Sequence, residues 1–131
     1  MIHEQRVIFG DTDQMGVVYY ANYLRYFEAA RAAFLRHKGH AQKDLDAWGI
    51  GLPVYEAHCN YHRPARYEDL LHVEVVVTQL RGASMRFDYV ARRDGQDLVS
   101  GFTVHACVNR AGRPQRIPPQ LRELIGPLPS E

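Results

Sequence analysis

The sequence predicts an α+β fold, an antiparallel sheet of five strands with one long helix packed on it. Three observations lead there: residues 20 to 38 space their apolar side chains for a helix, the spacing changes to two from residue 52 onward, and turns of hairpin length separate the alternating runs. The opening segment "IHEQRVIF" reads as the first strand. In the helical stretch Tyr20, Tyr23, Leu24, Phe27, Ala30 and Phe34 fall at steps of three and four along one face, and Arg25, Glu28 and Arg36 lie off it. His37 and Lys38 place basic groups in the last turn, and Gly39 can take the left-handed position that ends a helix. Ala29, Ala30, Ala32 and Ala33 keep the middle of the helix thin enough to lie close against a sheet.

From 55 to 62, Tyr55, Ala57, Cys59 and Tyr61 alternate with Glu56, His58, Asn60 and His62, the pattern of a strand with one wet face. After the break at "RPARYEDL", Leu71, Val73, Val75 and Val77 line one strand, and Met85, Phe87, Tyr89 and Ala91 the next. "RDGQ" at 93 to 96 carries the Asp-Gly hairpin signal. A last long strand runs from 98 to 108, "NRAGRP" ends it, and "PPQLRELI" makes a short C-terminal helix with proline in its first turn. One helix cannot cover such a sheet, so the remaining apolar surface and the sheet edges favour pairing with another copy.

At 131 residues the chain reads as a single domain, 1 to 131, with one site. Lys plus Arg at 16 against Asp plus Glu at 15 leaves a net charge of +1, which gives no basic field for nucleic acid. No run of 18 or more apolar residues offers a membrane span, and the N-terminus has no secretory pattern; a cytoplasmic location is expected. Cys59 and Cys107 sit in strand-like runs and read as small buried hydrophobes.

The chemistry is expected in "FGDTDQMGVVYYANYL", residues 9 to 24. "DTDQMG" has the Asp-x-Asp and glycine of a calcium loop, but position 5 is Met15 and position 12 is Asn22, which leaves the cage two ligands short. His58, Asn60 and His62 share a strand face, yet two histidines fall below the three protein ligands of a catalytic zinc. The carboxylate reading remains. Asp13 lies in the loop before the long helix, whose N-terminal amides create a positive potential that favours an anionic carboxylate. Asp11 reads as an acceptor that holds the turn, Gly16 as a position that permits a backbone conformation or a close approach that a side chain would obstruct, and Glu28 as one member of a surface ion-pair set with Arg25 and Arg31.

The stretch "FGDTDQMGVVYYANYLRYFEAARAAFLR", with Asp-x-Asp-x-x-Gly, paired aliphatics, aromatics, Asn-Tyr and Phe-Glu-x-x-Arg, resembles the signature of the 4-hydroxybenzoyl-CoA thioesterase family of hotdog-fold acyl-CoA thioesterases. "LPVYEAHCNYHRPARYEDLLHVEV" is similar to the family's next strand, turn and strand, so the likeness spans roughly residues 3 to 110. The resemblance implies a hotdog subunit whose sheet wraps the helix, a homodimer or homotetramer with active sites at the subunit interface, an acyl-CoA substrate, and no metal or cofactor. It makes Asp13 the catalytic carboxylate, either attacking the thioester carbonyl or activating water. It gives the Tyr20 backbone N–H to the oxyanion and places coenzyme A phosphates near Arg81, Ser84 and Arg86, aided by basic groups of a partner subunit; Gly16 is expected with these three among the substrate-binding residues. Elementary chemistry agrees on two points. A thiolate, with a parent pKa of about 8.5, leaves without a strong general acid. The segment between Asp13 and the helix also has no Arg, Lys or His to meet an oxyanion, so main-chain amides remain. A binding protein that holds an acyl chain without hydrolysis is the alternative, against which the retained Asp13 argues. A hotdog dehydratase would need a histidine in the active loop, and none lies between His3 and His37. Tyr20 stands where the Tol-Pal-associated branch commonly has histidine, and its neighbours Tyr19 and Ala21 differ from the aryl-specific branch.

Overall fold

The computed structural model describes residues 1–39 and 42–129. In chain order its elements are β1 (Ile2–Arg6), α1 (Asn22–His37), α2 (Gln42–Ala47), β2 (Ile50–Gly51), β3 (Val54–Tyr61), β4 (Leu70–Leu80), β5 (Ser84–Arg93), β6 (Gln96–Ala106), β7 (Val108–Asn109) and α3 (Pro119–Ile125). Five strands form one antiparallel sheet in the order β1-β4-β5-β6-β3, and β2 pairs with β7 alongside. The α+β class, the five strands and the long helix match the sequence reading. The six-residue α2 and the two-residue strands are too short to carry a period.

The period-two pattern is realised in β4 and β5, where Leu71, Val73, Val75 and Val77 and then Met85, Phe87, Tyr89 and Ala91 face the core. At the Asp94-Gly95 turn both residues have positive φ, 51° and 81°, the geometry that matches the twist of a two-residue hairpin. On α1, Tyr23, Phe27, Ala30 and Phe34 are buried as the spacing requires, and Phe27 stacks on Tyr89 with ring centroids 4.4 Å apart and planes 3° from parallel. Gly39 ends the helix at φ +96°, its amide bonded to the Arg36 carbonyl.

Two features of α1 differ from expectation. The helix starts at Asn22 rather than residue 20, because residues 19 to 24 enter through three-residue turns, Asn22 to Tyr19, Tyr23 to Tyr20 and Leu24 to Ala21. Tyr20 therefore precedes the helix and is exposed, as is Leu24. Tyr26 and Ala33 complete the buried face instead, the Tyr26 hydroxyl donating to Asp11 at 2.8 Å. The ion-pair set around Glu28 also gives way. Arg25 reaches the Asp11 carboxylate at 3.4 Å, and Arg31 donates to the Tyr89 hydroxyl at 3.0 Å. A solvated ion pair on a helix returns little, and Arg31 instead gives the buried Tyr89 hydroxyl a charged donor.

Arg31 begins a chain of hydrogen bonds across the core. Tyr89 Oη and Thr103 Oγ1 are 2.7 Å apart, Thr103 Oγ1 and His105 Nε2 2.8 Å, and His105 Nδ1 and the Leu52 carbonyl 2.8 Å. The Leu52 carbonyl can only accept, so Nδ1 carries the imidazole proton. Nε2 then accepts from Thr103, Thr103 from Tyr89, and Tyr89 from Arg31. Burial pushes the fully enclosed His105 down to about 4; the Leu52 hydrogen bond opposes this shift and the nearby Arg31 charge adds to it.

β3 was expected to have one wet face. It is exposed along its whole length except at half-buried Cys59, because it pairs with β6 alone and leaves its other edge open. Its seat on β6 is tight. A Cβ on Gly101 would overlap the His58 carbonyl and come within 3.1 Å of the Phe27 ring, so glycine lets β3, β6 and α1 meet there. At the other end of the molecule α3 buries Leu121 and Ile125, and Arg122 donates to the carbonyls of Arg81 and Gly82, clamping the β4–β5 hairpin.

Candidate active site

The loop between β1 and α1 is built on Asp11. This carboxylate is buried and accepts from the Ile8 amide at 3.2 Å, from Tyr26 and from Arg25. Its backbone carbonyl accepts from the Tyr19 amide and from Asn22 Nδ2, both at 2.9 Å. The expected turn-holding role of Asp11 is what these contacts describe. The Tyr26 phenol is pushed far up, first by burial and then by its bond to the Asp11 carboxylate, so it remains a donor.

Asp13 stands two residues on, half-buried, in a tight turn: its amide donates to the Val17 carbonyl at 2.9 Å and its carbonyl accepts from the Gly16 amide at 3.0 Å. Gly16 has φ +80° with open space around it, so it is needed for backbone conformation rather than close approach. Asp13 Oδ1 accepts from the Met15 amide at 2.9 Å, while Oδ2 has no partner among the described residues. The Tyr19 and Tyr20 rings lie 4.7 Å apart, and the Tyr19 phenol is raised first by its contact with Tyr20 and last by the Asp13 charge.

The turn supplies the second element. Amides of Tyr19, Asn22, Tyr23 and Leu24 are all used, the last three by the three-residue bonds into α1. Those of Tyr20 and Ala21 have no acceptor among the described residues, which leaves two consecutive donors at a helix start. Beside them lies a cleft of about 260 Å³ whose walls include Val17, Val18, Tyr20, Tyr23, Tyr61 and Pro64. Tyr61 donates to the Tyr20 carbonyl at 3.3 Å, and burial foremost pushes its phenol up to about 12. A groove of about 390 Å³ between β1 and α1, on the far side of Asp11, is lined by Arg25 and Glu28 and contains neither Asp13 nor Tyr20. The apolar cleft is walled by Tyr20 and, like that groove, not by Asp13.

Arg81, Ser84 and Arg86 are gathered at the β4–β5 hairpin, where the Arg81 amide donates to the Ser84 carbonyl at 2.8 Å. Arg81 is exposed. Arg86 is committed to Asp88 through two bonds of 2.8 and 3.1 Å and lies 3.7 Å over the Phe102 ring. One chain does not bring this group to Asp13. Arg6 of β1 aligns with Leu70, the first residue of β4, whereas the hairpin follows Leu80 at its far end. The separation is roughly 33 Å along the strand. A further groove, about 530 Å³, adjoins the hairpin and is lined by Trp48, Arg116 and Arg122. Its signal in the sequence is "RAGRPQRIPPQLR", which has four arginines and no acid. His58 and His62 go to Asn60 and Ser100, and no cluster suited to a metal occurs among the described residues.

This fold, with a carboxylate loop leading into the helix, defines a hotdog thioesterase architecture. The model of the thioesterase-like superfamily matches residues 7–125, and the chain belongs to that family. The acyl-CoA thioesterase YbgC of Haemophilus influenzae is 35% identical over 105 residues, covering 79% of this chain and 77% of that one. The 1,4-dihydroxy-2-naphthoyl-CoA hydrolase of Synechococcus elongatus is 35% identical over 117 residues, 87% of this chain and 85% of that one. Among solved structures, a hypothetical protein from Aquifex aeolicus superposes with a TM-score of 0.92 at 31% identity, covering 95% of this chain and 98% of that one.

Proposed function

We propose that this protein hydrolyses acyl-CoA thioesters to the free acid and coenzyme A, as a member of the 4-hydroxybenzoyl-CoA thioesterase family close to its Tol-Pal-associated branch. One observation carries the reading: a single segment hung on Asp11 holds a carboxylate with an unengaged oxygen and, seven residues on, a backbone amide without an acceptor. Asp13 Oδ2 attacks the thioester carbon and expels the thiolate, leaving a mixed anhydride for water to cleave, or it takes the proton of the attacking water. In either course the carbonyl oxygen gains charge, and the Tyr20 N–H meets it with the positive end of α1 behind. Release of free thiol from a panel of aliphatic, branched and aromatic acyl-CoAs is the test. No release from any of them would leave a protein that binds acyl groups without cleaving them.

A second copy completes the site. The Tyr61 end of β3 adjoins the Asp13 loop, and its Val54 end meets His105, which also pairs with Met85 beside the hairpin. Two-fold pairing of open β3 edges would run them antiparallel and set one copy's hairpin at the other's Asp13. A homodimer, or a tetramer of two such pairs, thus offers Arg81, Ser84 and Arg86 to the nucleotide end of the substrate, with Arg116 and Arg122 nearby. The free thiols of Cys59 and Cys107 suit a reducing, cytoplasmic setting.

Two outcomes follow for individual residues. Tyr20→Phe removes the hydroxyl and keeps the amide, so kcat is expected to stay within a few-fold of wild type; a collapse would assign chemistry to the phenol. Arg81→Ala is expected to raise KM for acyl-CoA at low salt with kcat little changed, since an exposed guanidinium serves as a phosphate contact rather than a support. An unchanged KM would remove Arg81 from the binding site.

A further inference from the structure

We infer that Asn22 is a positioning residue for the oxyanion donor, holding the Tyr20 amide in place by tying the entrance of α1 to Asp11. The inference rests on the hydrolytic reading above. Tyr20 and Ala21 are bracketed by two residues that bind the same acceptor: the Tyr19 amide and Asn22 Nδ2 both donate to the Asp11 carbonyl at 2.9 Å. The Asn22 amide in turn donates to the Tyr19 carbonyl at 2.9 Å, which closes a small ring around the two free amides. The acceptor is itself immobile, since the Asp11 carboxylate is only 4% exposed and is held by Ile8, Tyr26 and Arg25. An N-cap side chain accepts hydrogen bonds from helix amides; here the N-cap residue is Ala21, and the Asn22 side chain donates backward, away from the helix. Its role is therefore addressed to the loop rather than to helix stability.

Without this amide the Asp11 carbonyl keeps one donor, and the turn that carries the Tyr20 N–H is fastened at one end only. Oxyanion donors act through being aimed in advance, so a loosened donor costs turnover and leaves ground-state binding alone. Two variants separate this from a structural role. Asn22→Ala deletes the donor and adds no charge. Asn22→Asp also deletes it and turns a carboxylate oxygen on the Asp11 carbonyl, so the loop contact becomes repulsive while the helix dipole still favours the charge in the first turn of α1.

The experiment measures kcat, KM and Tm of both variants in the full chain, with an acyl-CoA that the wild type cleaves. Both are expected to lose about 10- to 100-fold in kcat, a partial version of the 10² to 10³ that follows outright deletion of such a donor. KM should stay within about twofold, and the kcat losses should be alike whether or not the Tm values of the two variants differ. Wild-type kcat in either variant overturns the inference, as does a loss that follows Tm across the pair. Should Asn22→Ala fail to fold, Asn22→Asp decides. Asp13→Asn and the wild type, run beside them, keep the levels apart: an inactive Asp13→Asn with a fully active Asn22→Ala drops the positioning role alone, an active Asp13→Asn removes Asp13 from the chemistry, and a wild type that releases no thiol removes the hydrolytic reading.

Discussion

Asp13→Asn is expected to lower kcat by roughly 10² to 10⁴-fold, the range for loss of a general base or a nucleophile, with KM and Tm close to wild type. The replacement is nearly isosteric, and its amide oxygen can still accept from the Met15 amide as Oδ1 does now. What disappears is the anionic Oδ2, the oxygen the protein leaves unengaged. Asp11→Asn provides the contrast. It keeps the backbone carbonyl that binds Tyr19 and Asn22, but sets an NH₂ group against donors from Ile8, Tyr26 and Arg25. Its cost is expected in Tm, with far less in kcat. Steady-state kinetics and thermal melts of the two variants decide between the aspartates, and a reversed order of kcat would exchange their roles.

The second large effect is on stability in mild acid. His105 titrates at about 4 in the fold against 6.5 unfolded, so between those values the unfolded chain binds the additional proton. The stabilisation is fully present above about pH 6.5 and is lost as pH falls toward 4. At 1.36 kcal/mol per unit the total is about 3 kcal/mol. Protonation also puts a donor at Nε2, and the one-way chain from Arg31 through Tyr89 and Thr103 then ends donor against donor. Asp69, whose carboxyl is lowered by the Arg66 amide and Arg93 against an opposing cost of burial, acts below this window. Urea midpoints at pH 7 and pH 4.5 are expected to diverge for wild type and to lie closer together for His105→Gln; equal pH dependence in both would exonerate the imidazole.

Much of this was legible from residue spacing because the relevant pattern is local. β4, β5 and their hairpin declare themselves through alternation and an Asp-Gly turn, and the loop of Asp13 and Gly16 through a motif of fixed spacing. What spacing concealed depends on partners distant in sequence. Nothing near Arg31 indicates that it will leave Glu28 for Tyr89, 58 residues on. Alternation in β3 implied a buried face, yet burial depends on what lies beyond the edge, and a single chain has nothing there. Asn22 enters the sequence reading as a failed calcium ligand and as the first residue of the Asn-Tyr pair in the family signature, but neither assigns its side chain a partner, since its use is fixed by the Asp11 carbonyl, a backbone atom that no side-chain pattern encodes.

The open edge of β3 has a consequence for how the protein behaves in bulk. Unpaired amides and carbonyls along eight residues form a template that any extended chain can extend, and the exposed Val54, Tyr55 and Tyr61 add adhesion to it. A second folded copy would satisfy that template in a self-complementary way, and folded copies are scarce when the protein is dilute or freshly made. Pairing at this edge would tie the melting temperature to protomer concentration by mass action, since whatever binds only the native form raises its stability. Until such an encounter, the same strand is open to mispairing with a partly folded neighbour.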